Sequence, residues 1–335
     1  MMHEPVILAI ETSCDDTAAS VLRGLRVVSN VISSQDIHDL YGGIVPELAS
    51  REHVKGIAPI VMAALREASC TTADVDAIAV TYGPGLPGSL IVGSHFAKGL
   101  ALRLGVPIFP VHHIEAHMYS GHLEDPSLEF PAICLVVSGG HTSIVLLRSL
   151  HAFELLGSTR DDAAGEAFDK VAKLVGLGYP GGPHVDRLAK AGDPHAMEFP
   201  RGLMHDGTFN FSFSGLKTSV RYYLRDHPNA QINDVCASVQ RAIVDVLVSK
   251  TLKAANTHAV RTIVVAGGVS ANSELRSRFA AECEKRHMRF VAPRSSYCVD
   301  NAAMIGFLAA HRYREGHRPT DYSFTIEAHA VRATN

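Results

Sequence analysis

VILAIETSCDDTAASVLRGLRVVSNVIS, residues 6–33, holds three short apolar runs, 6–12, 17–23 and 26–33, rich in β-branched residues and separated by turn residues. Such runs read as a three-strand meander. The period then changes. HVKGIAPIVMAALREA (53–68) has helical spacing, DAIAVTYG (76–83) reads as a buried strand, LIVGSHFAKGLALRLG (90–105) as a helix and PIFPVHH (107–113) as a strand. The order is βββαβαβ. From Pro131 the chain repeats it, with strands at PAICLVVSGG, TSIVLLRS and HAFELLGS, a helix at AAGEAFDKVAKLVG and a later helix at 232–256. The strand RTIVVAGG, the helix ANSELRSRFAAECEKRH and the strand RFVAP complete the second copy. The first strands align by eye, AIETSCDDT against VVSGGHT, each an apolar run that ends in a polar turn.

A duplicated βββαβα unit is the plan of the actin-like ATPases, α/β proteins with two lobes and a nucleotide cleft between them. The expected division is an N-terminal lobe over 1–125, a C-terminal lobe over 126–320 with an inserted segment at about 177–230, and a tail over 321–335. A length of 335 residues with 47% hydrophobic content suits two domains. The net charge of −3 gives no global basic field, so nucleic acid would be held by a local patch. The six cysteines, Cys14, Cys70, Cys134, Cys236, Cys283 and Cys298, show no C-x-x-C spacing and read as reduced thiols of a cytoplasmic protein. The first apolar run is too short for a signal peptide or a membrane span.

In VHHIEAH, His113 and His117 stand four apart, on one face of a helix, where both can reach one metal ion. Asp300, in YCVDNAA, offers a third ligand. With 19 histidines in the chain such a pair also arises by chance, so spacing alone leaves both readings open. A zincin site is disfavoured: Glu115 lies two residues after His113, about 200° round the helix, and points away from the pair. SGGHT (138–142) and AGGVSAN (266–272) each follow an apolar strand and can turn backbone N–H groups toward a phosphate, although a glycine pair there is also ordinary turn punctuation. TYGPGLPGSL (81–90) is either a stiff loop that approaches a ligand or a plain connection. For Asp161 and Asp162 capping of the helix that follows suffices, whereas Asp169, mid-helix, is a candidate partner for a ligand. In GTFNFSFSGLKTSVRYYLRD, Phe209, Phe211 and Phe213 alternate as on a short strand. Lys217, Arg221 and Arg225 form a positive stripe that is either a solvated helix face or a contact for an RNA backbone.

Taken together, AIETSCDDTAASV, YGGIVPELASREH, TYGPGLPGSL, VHHIEAH, VVSGGHTSIV, DDAAGEAFDKVAKLVGLGYPGGP, FNFSFSGLKTSV and AGGVSANSELR resemble the TsaD family, from about Ile7 to Gly306. The resemblance implies an acyltransferase that moves threonylcarbamoyl from threonylcarbamoyl-adenylate to the exocyclic amine of the tRNA adenosine just 3′ of the anticodon, in tRNAs reading codons that start with A. It implies one divalent metal on His113, His117 and Asp300, iron in the family's usual assignment, although such N/O ligands also take zinc. It implies an ATP or adenylate-type ligand at Val137, Ser138, Gly139, Gly140, His141, Asp169, Gly182, Asp186 and Asn272. TsaB and TsaE are the implied partners. Glu11, at the end of the first strand, is the weaker candidate for an orienting or proton-accepting group, and the basic stripe becomes a candidate tRNA contact. A nucleotide-binding assembly subunit and a glycoprotein metalloendopeptidase are the alternatives.

Overall fold

The computed structural model describes residues 4–329; the remainder of the expected tail, 330–335, lies outside them. The chain opens with β1 (Val6–Glu11), β2 (Asp16–Arg23) and β3 (Arg26–Ser34), then α1 (Pro46–Glu67), β4 (Ala77–Gly83), α2 (Pro87–Leu104) and β5 (Ile108–His112). α3 (His113–Tyr119) and the single turn α4 (Gly121–Glu124) follow. The second series runs β6 (Ala132–Val137), β7 (Thr142–Ser149), β8 (Ala152–Ser158), α5 (Ala164–Leu174), α6 (Gly181–Ala189), α7 (Ser214–Asp226), α8 (Ile232–Thr257), β9 (Thr262–Ala266), α9 (Ser273–Lys285), β10 (Arg289–Val291) and the single turn α10 (Ser295–Cys298). α11 (Ala302–Arg314) closes the helical part.

The strands form two five-stranded sheets, ordered β3-β2-β1-β4-β5 and β10-β9-β6-β7-β8. Read from its other end, the second order is that of the first, strand for strand. In each, two antiparallel pairings precede the parallel ones, β1 with β4 and β6 with β9. The meander is joined by short turns and the parallel pairings by helices, as strand direction requires.

β1 is apolar from Val6 to Ile10 because both its faces are covered, and it ends in the buried Glu11. Leu8 and Ile10 join a buried cluster with Ile57 and Val61 of α1 and Ala97 of α2. Ala9 and Leu22 face α11, where a Cβ on Gly306 would lie 2.2 Å from Leu22 Cδ1. α11 is tied to the same sheet by Ala303 N donating to Asn30 Oδ1 (3.2 Å) and Arg312 donating to Pro110 O (3.1 Å). The chain accordingly divides into one unit up to Leu123 and from Val299 onward, and another over Glu124–Cys298. This differs from a C-terminal lobe running to 320. The apolar face of α11 matches the first sheet, a long-range fit that periodicity does not report.

α1 begins at Pro46, seven residues before the expected 53, with proline in the first turn, where its missing N–H costs nothing. The alternating Phe209, Phe211 and Phe213 form no strand. Phe211 makes one isolated bridge to Thr159, and Phe211 and Phe213 are buried and stacked at 6.1 Å. Among the described residues, no helix is long and apolar enough to cross a membrane.

Candidate metal centre and nucleotide turn

β5 runs straight into α3, so His113 opens a helix and His117 follows one turn later on the same face. Their rings meet edge to face with centroids 4.6 Å apart. Asp300 stands just ahead of α11, whose N-terminus is capped by Asn301 Oδ1 accepting from Met304 N (3.1 Å). One oxygen, Asp300 Oδ1, lies 3.0 Å from His117 Nε2 and 3.4 Å from His113 Nε2. A ligand atom of each residue falls within 4.8 Å of the others, and both histidines are buried.

The donor set fits a divalent ion: two imidazoles from α3 and a carboxylate from the turn ahead of α11. His113 Nδ1, the ring nitrogen turned away from Asp300, is 3.0 Å from Glu11 Oε2 and 3.1 Å from Ser13 Oγ. A carboxylate behind a ligating imidazole fixes its tautomer and raises its basicity. His117 Nδ1 is buried without a hydrogen-bond partner. Burial opposes charge on His113, but Asp300 and Glu11 outweigh it and push its pKa well above the usual histidine range. Burial likewise opposes charge on Asp300, and His113 and then His117 hold its carboxyl well below the usual range. His117 is pushed down, by burial first. The cluster is thus a locus for positive charge, for which a proton and a metal ion compete.

Glu11 has no exposed surface, and both its oxygens are engaged. Oε1 accepts from Ser13 N (2.5 Å) and Oε2 from Thr81 Oγ1 (2.5 Å), besides facing His113. Ser13 and Thr81 were not among the expected site residues; a hydroxyl at a strand end and one in a turn are the only local signals. The glycines of 81–90 approach the protein itself: a Cβ on Gly85 would lie 2.4 Å from Ser13 O, and Leu86 N donates to that oxygen (2.8 Å). Glu115 faces away from the histidines and pairs with Arg312 (3.3 Å), which removes the base a zincin would need.

In the second unit, Ser138–His141 links β6 to β7, closed by Ser138 N donating to His141 O (2.8 Å) and His141 N to Ser138 Oγ (3.2 Å). Val137 is buried, Gly139 and Gly140 are exposed, and nothing lies within 4 Å of a Cβ built on either glycine. α5 approaches this turn closely: a Cβ on Gly165 would lie 2.5 Å from Ser138 O. Gly267, with φ +90°, likewise has no room for a Cβ beside Val137 O (2.5 Å). Asp169 accepts from Gly181 N (2.7 Å), holding the first turn of α6, which carries Gly182 and Asp186; burial pushes its carboxyl up. Asp186 accepts from Ser273 Oγ (2.7 Å). Asn272 caps α9 by accepting from Leu275 N (3.0 Å) and donates to Gln240 Oε1 (2.7 Å).

One expectation needs correcting. Asp161 does not cap α5, whose Ala164 N donates instead to Thr142 Oγ1 (2.8 Å). Asp161 accepts from Ser212 Oγ, Phe213 N and both Ser214 N and Oγ, and so anchors the start of α7. On α7, Lys217, Arg221 and Arg225 are all exposed, yet Arg225 is paired with Asp226 (2.7 Å) and lies over the Tyr222 ring (5.0 Å).

The solved structures this architecture resembles place it among the actin-like ATPase folds. They include HypF of T. kodakarensis (TM-score 0.62, 15% identity, 94% of this chain and 48% of that one). Another is component A of the (R)-2-hydroxyglutaryl-CoA dehydratase of Acidaminococcus fermentans (TM-score 0.59, 14% identity, 93% and 99%). Within that fold class the chain belongs to the TsaD family, tRNA N6-adenosine threonylcarbamoyltransferase, whose model matches residues 26–307. Relatives of that name in Clostridium botulinum and Clostridium perfringens are 52% and 51% identical to it, over 93% and 94% of this chain and 94% and 95% of theirs. The chain is therefore a transferase that acts on tRNA.

Proposed function

We propose that the chain transfers threonylcarbamoyl from threonylcarbamoyl-adenylate to the exocyclic amine of the adenosine 3′ of the anticodon, in tRNAs reading codons that start with A. The observation that carries the metal part of this reading is the buried convergence of His113 Nε2 and His117 Nε2 on Asp300 Oδ1. A divalent ion held there, iron by family likeness and zinc by equal ligand chemistry, supplies Lewis acidity where charge develops. His113 is oriented for that task by Glu11 and Ser13, and burial excludes water from the ring pair.

The second unit holds the donor's adenylate. Gly139 and Gly140 offer backbone N–H groups to phosphate, while Val137, Ser138 and His141 shape the turn. Asp169 steadies the α6 turn around Gly182, Asp186 ties α6 to Ser273, and Asn272 opens α9. The amine nitrogen attacks the carbonyl carbon, the bond from that carbon to the phosphate oxygen breaks, AMP leaves with the electron pair, and the amine loses a proton. Lys217 and Arg221 contact tRNA phosphates, with Arg225 contributing less because Asp226 neutralises it. TsaB and TsaE are the partner subunits.

Fresh threonylcarbamoyl-adenylate and unmodified tRNA, with and without TsaB and TsaE, with the modified nucleoside read by mass spectrometry, test this directly. His113→Ala with His117→Ala is expected to lower transfer about a hundredfold or more; full activity in that variant removes the metal reading. Lys217→Glu with Arg221→Glu is expected to weaken tRNA binding about tenfold and flatten its salt dependence, and Arg225→Glu to change it less. Unchanged affinity in the double variant removes the stripe.

A further inference from the structure

Past α11 the described residues form no helix or strand, yet residues 319–328 are fastened along the first unit at five points. Pro319 O accepts from Ile108 N of the edge strand β5 (2.9 Å), and Tyr322 Oη donates to Val106 O (3.3 Å). Lys98 Nζ donates to Phe324 O (2.6 Å) and lies 4.1 Å from the Phe324 ring centroid. Glu327 N donates to Tyr82 O (2.8 Å), and Ala328 O accepts from Gly85 N (3.4 Å). A Cβ on Gly83 would lie 2.1 Å from Glu327 O, so the segment sits directly on the loop after β4. A cavity of about 360 Å³, walled by Phe324 and Glu327 on one side and by Glu115 and Arg312 on the other, shows that the segment bridges between its fastenings.

The loop it presses is the one that braces His113. Thr81 donates to Glu11, Gly85 and Leu86 close on Ser13 O, and Glu11 and Ser13 together hold His113 Nδ1. We propose that residues 319–328 are a positioning strap for the metal centre, acting through Tyr82–Leu86 on the Glu11–Ser13 brace, so that metal affinity depends on a segment that touches none of the ligands. The inference rests on the metal reading above. Its physical basis is that an outer partner of a ligating imidazole sets the orientation of the ring, and affinity follows orientation.

The test uses the full-length chain and Co2+ as the probe, following d–d absorption during titration. Two variants release the strap by different means: Lys98→Met with Glu327→Pro removes fastenings, and Gly83→Ala pushes Glu327 away. Both are expected to bind Co2+ about tenfold more weakly and with a shifted d–d band, as Ser13→Ala should. A structural role alone would lower the melting midpoint of the metal-free chain and leave the spectrum unchanged. Wild-type affinity and spectrum in both strap variants overturn the strap. A wild-type chain that binds no Co2+, or binds it as well after His113→Ala with His117→Ala, overturns the metal reading and the strap with it.

Discussion

The connection after β1, Thr12–Asp15, and the connection after β6, Ser138–His141, occupy equivalent places in two sheets of the same strand order. The first is sealed: Thr12 and Ser13 are buried, and Cβ atoms on Gly93 and Gly85 would lie 2.1 Å from Thr12 Oγ1 and 2.4 Å from Ser13 O. The second is open, with two exposed glycines and free space where their side chains would be. In the first unit, the proposed site is made of side chains, and glycine lets the backbone close over them. In the second, Asp161, Asp169, Asp186 and Asn272 are occupied with their own backbone and neighbours, and what is left open is main chain. Duplicated topology therefore carries two kinds of turn, one closed by packed side chains and glycine and one open along its main chain.

The sharpest way to break this contrast is steric. Gly93→Ala is expected to destabilise the chain by about 1–3 kcal/mol, because Thr12 lies in a packed interior that has to shift, and urea unfolding measures it. Next comes Glu11→Gln, which keeps hydrogen-bonding atoms but removes the charge behind His113; metal affinity should fall about tenfold by Co2+ titration, with protein stability a poor guide to the loss.

Asp161→Ala, in the second unit, should cost about 1 kcal/mol through the lost anchor of α7 and leave metal affinity untouched. Burial pushes the Asp161 carboxyl up, but Ser212, Phe213 and Ser214 outweigh burial and hold it below its ordinary value. A depressed folded pKa contributes stability that is full above the unfolded value of about 3.9 and is lost as pH falls toward the folded one. The variant should therefore lose less stability on acidification below about pH 4 than the wild type, in urea midpoints taken across that range. The smallest effect on stability is expected from Gly139→Ala with Gly140→Ala, within about 0.5 kcal/mol, since neither Cβ meets an atom. Adenylate binding should weaken all the same, by calorimetry. A stability loss equal to that of Gly93→Ala would mean the two turns are built alike.

Much of this was legible beforehand. The β7 run at 142–149 was bounded as observed, α8 ended one residue beyond the expected 256, and the spacing of His113 and His117 placed both on one helix face. Asp300, 183 residues from His117, was offered as a third ligand by the sequence and again by family likeness, and it meets the pair in space. What stayed hidden was contact between distant segments. Glu11 finds His113 across 102 positions and Asp161 finds Phe213 across 52, and nothing local marks either pairing. The loop at 81–90 looked fit to meet a ligand because glycine permits close approach to any backbone, and here the backbone it approaches is Ser13 and Glu327.

By itself the sequence determined the duplicated strand order, the helical pairing of the histidines and the family, since each depends on periodicity or on motifs a few residues long. Only the tertiary structure decided that α11 belongs with the first sheet, that Glu11 stands behind His113 and that residues 319–328 lie on the loop beside it. Those outcomes depend on which buried surfaces fit and which polar atoms are satisfied once burial is complete, and both are properties of the assembled core.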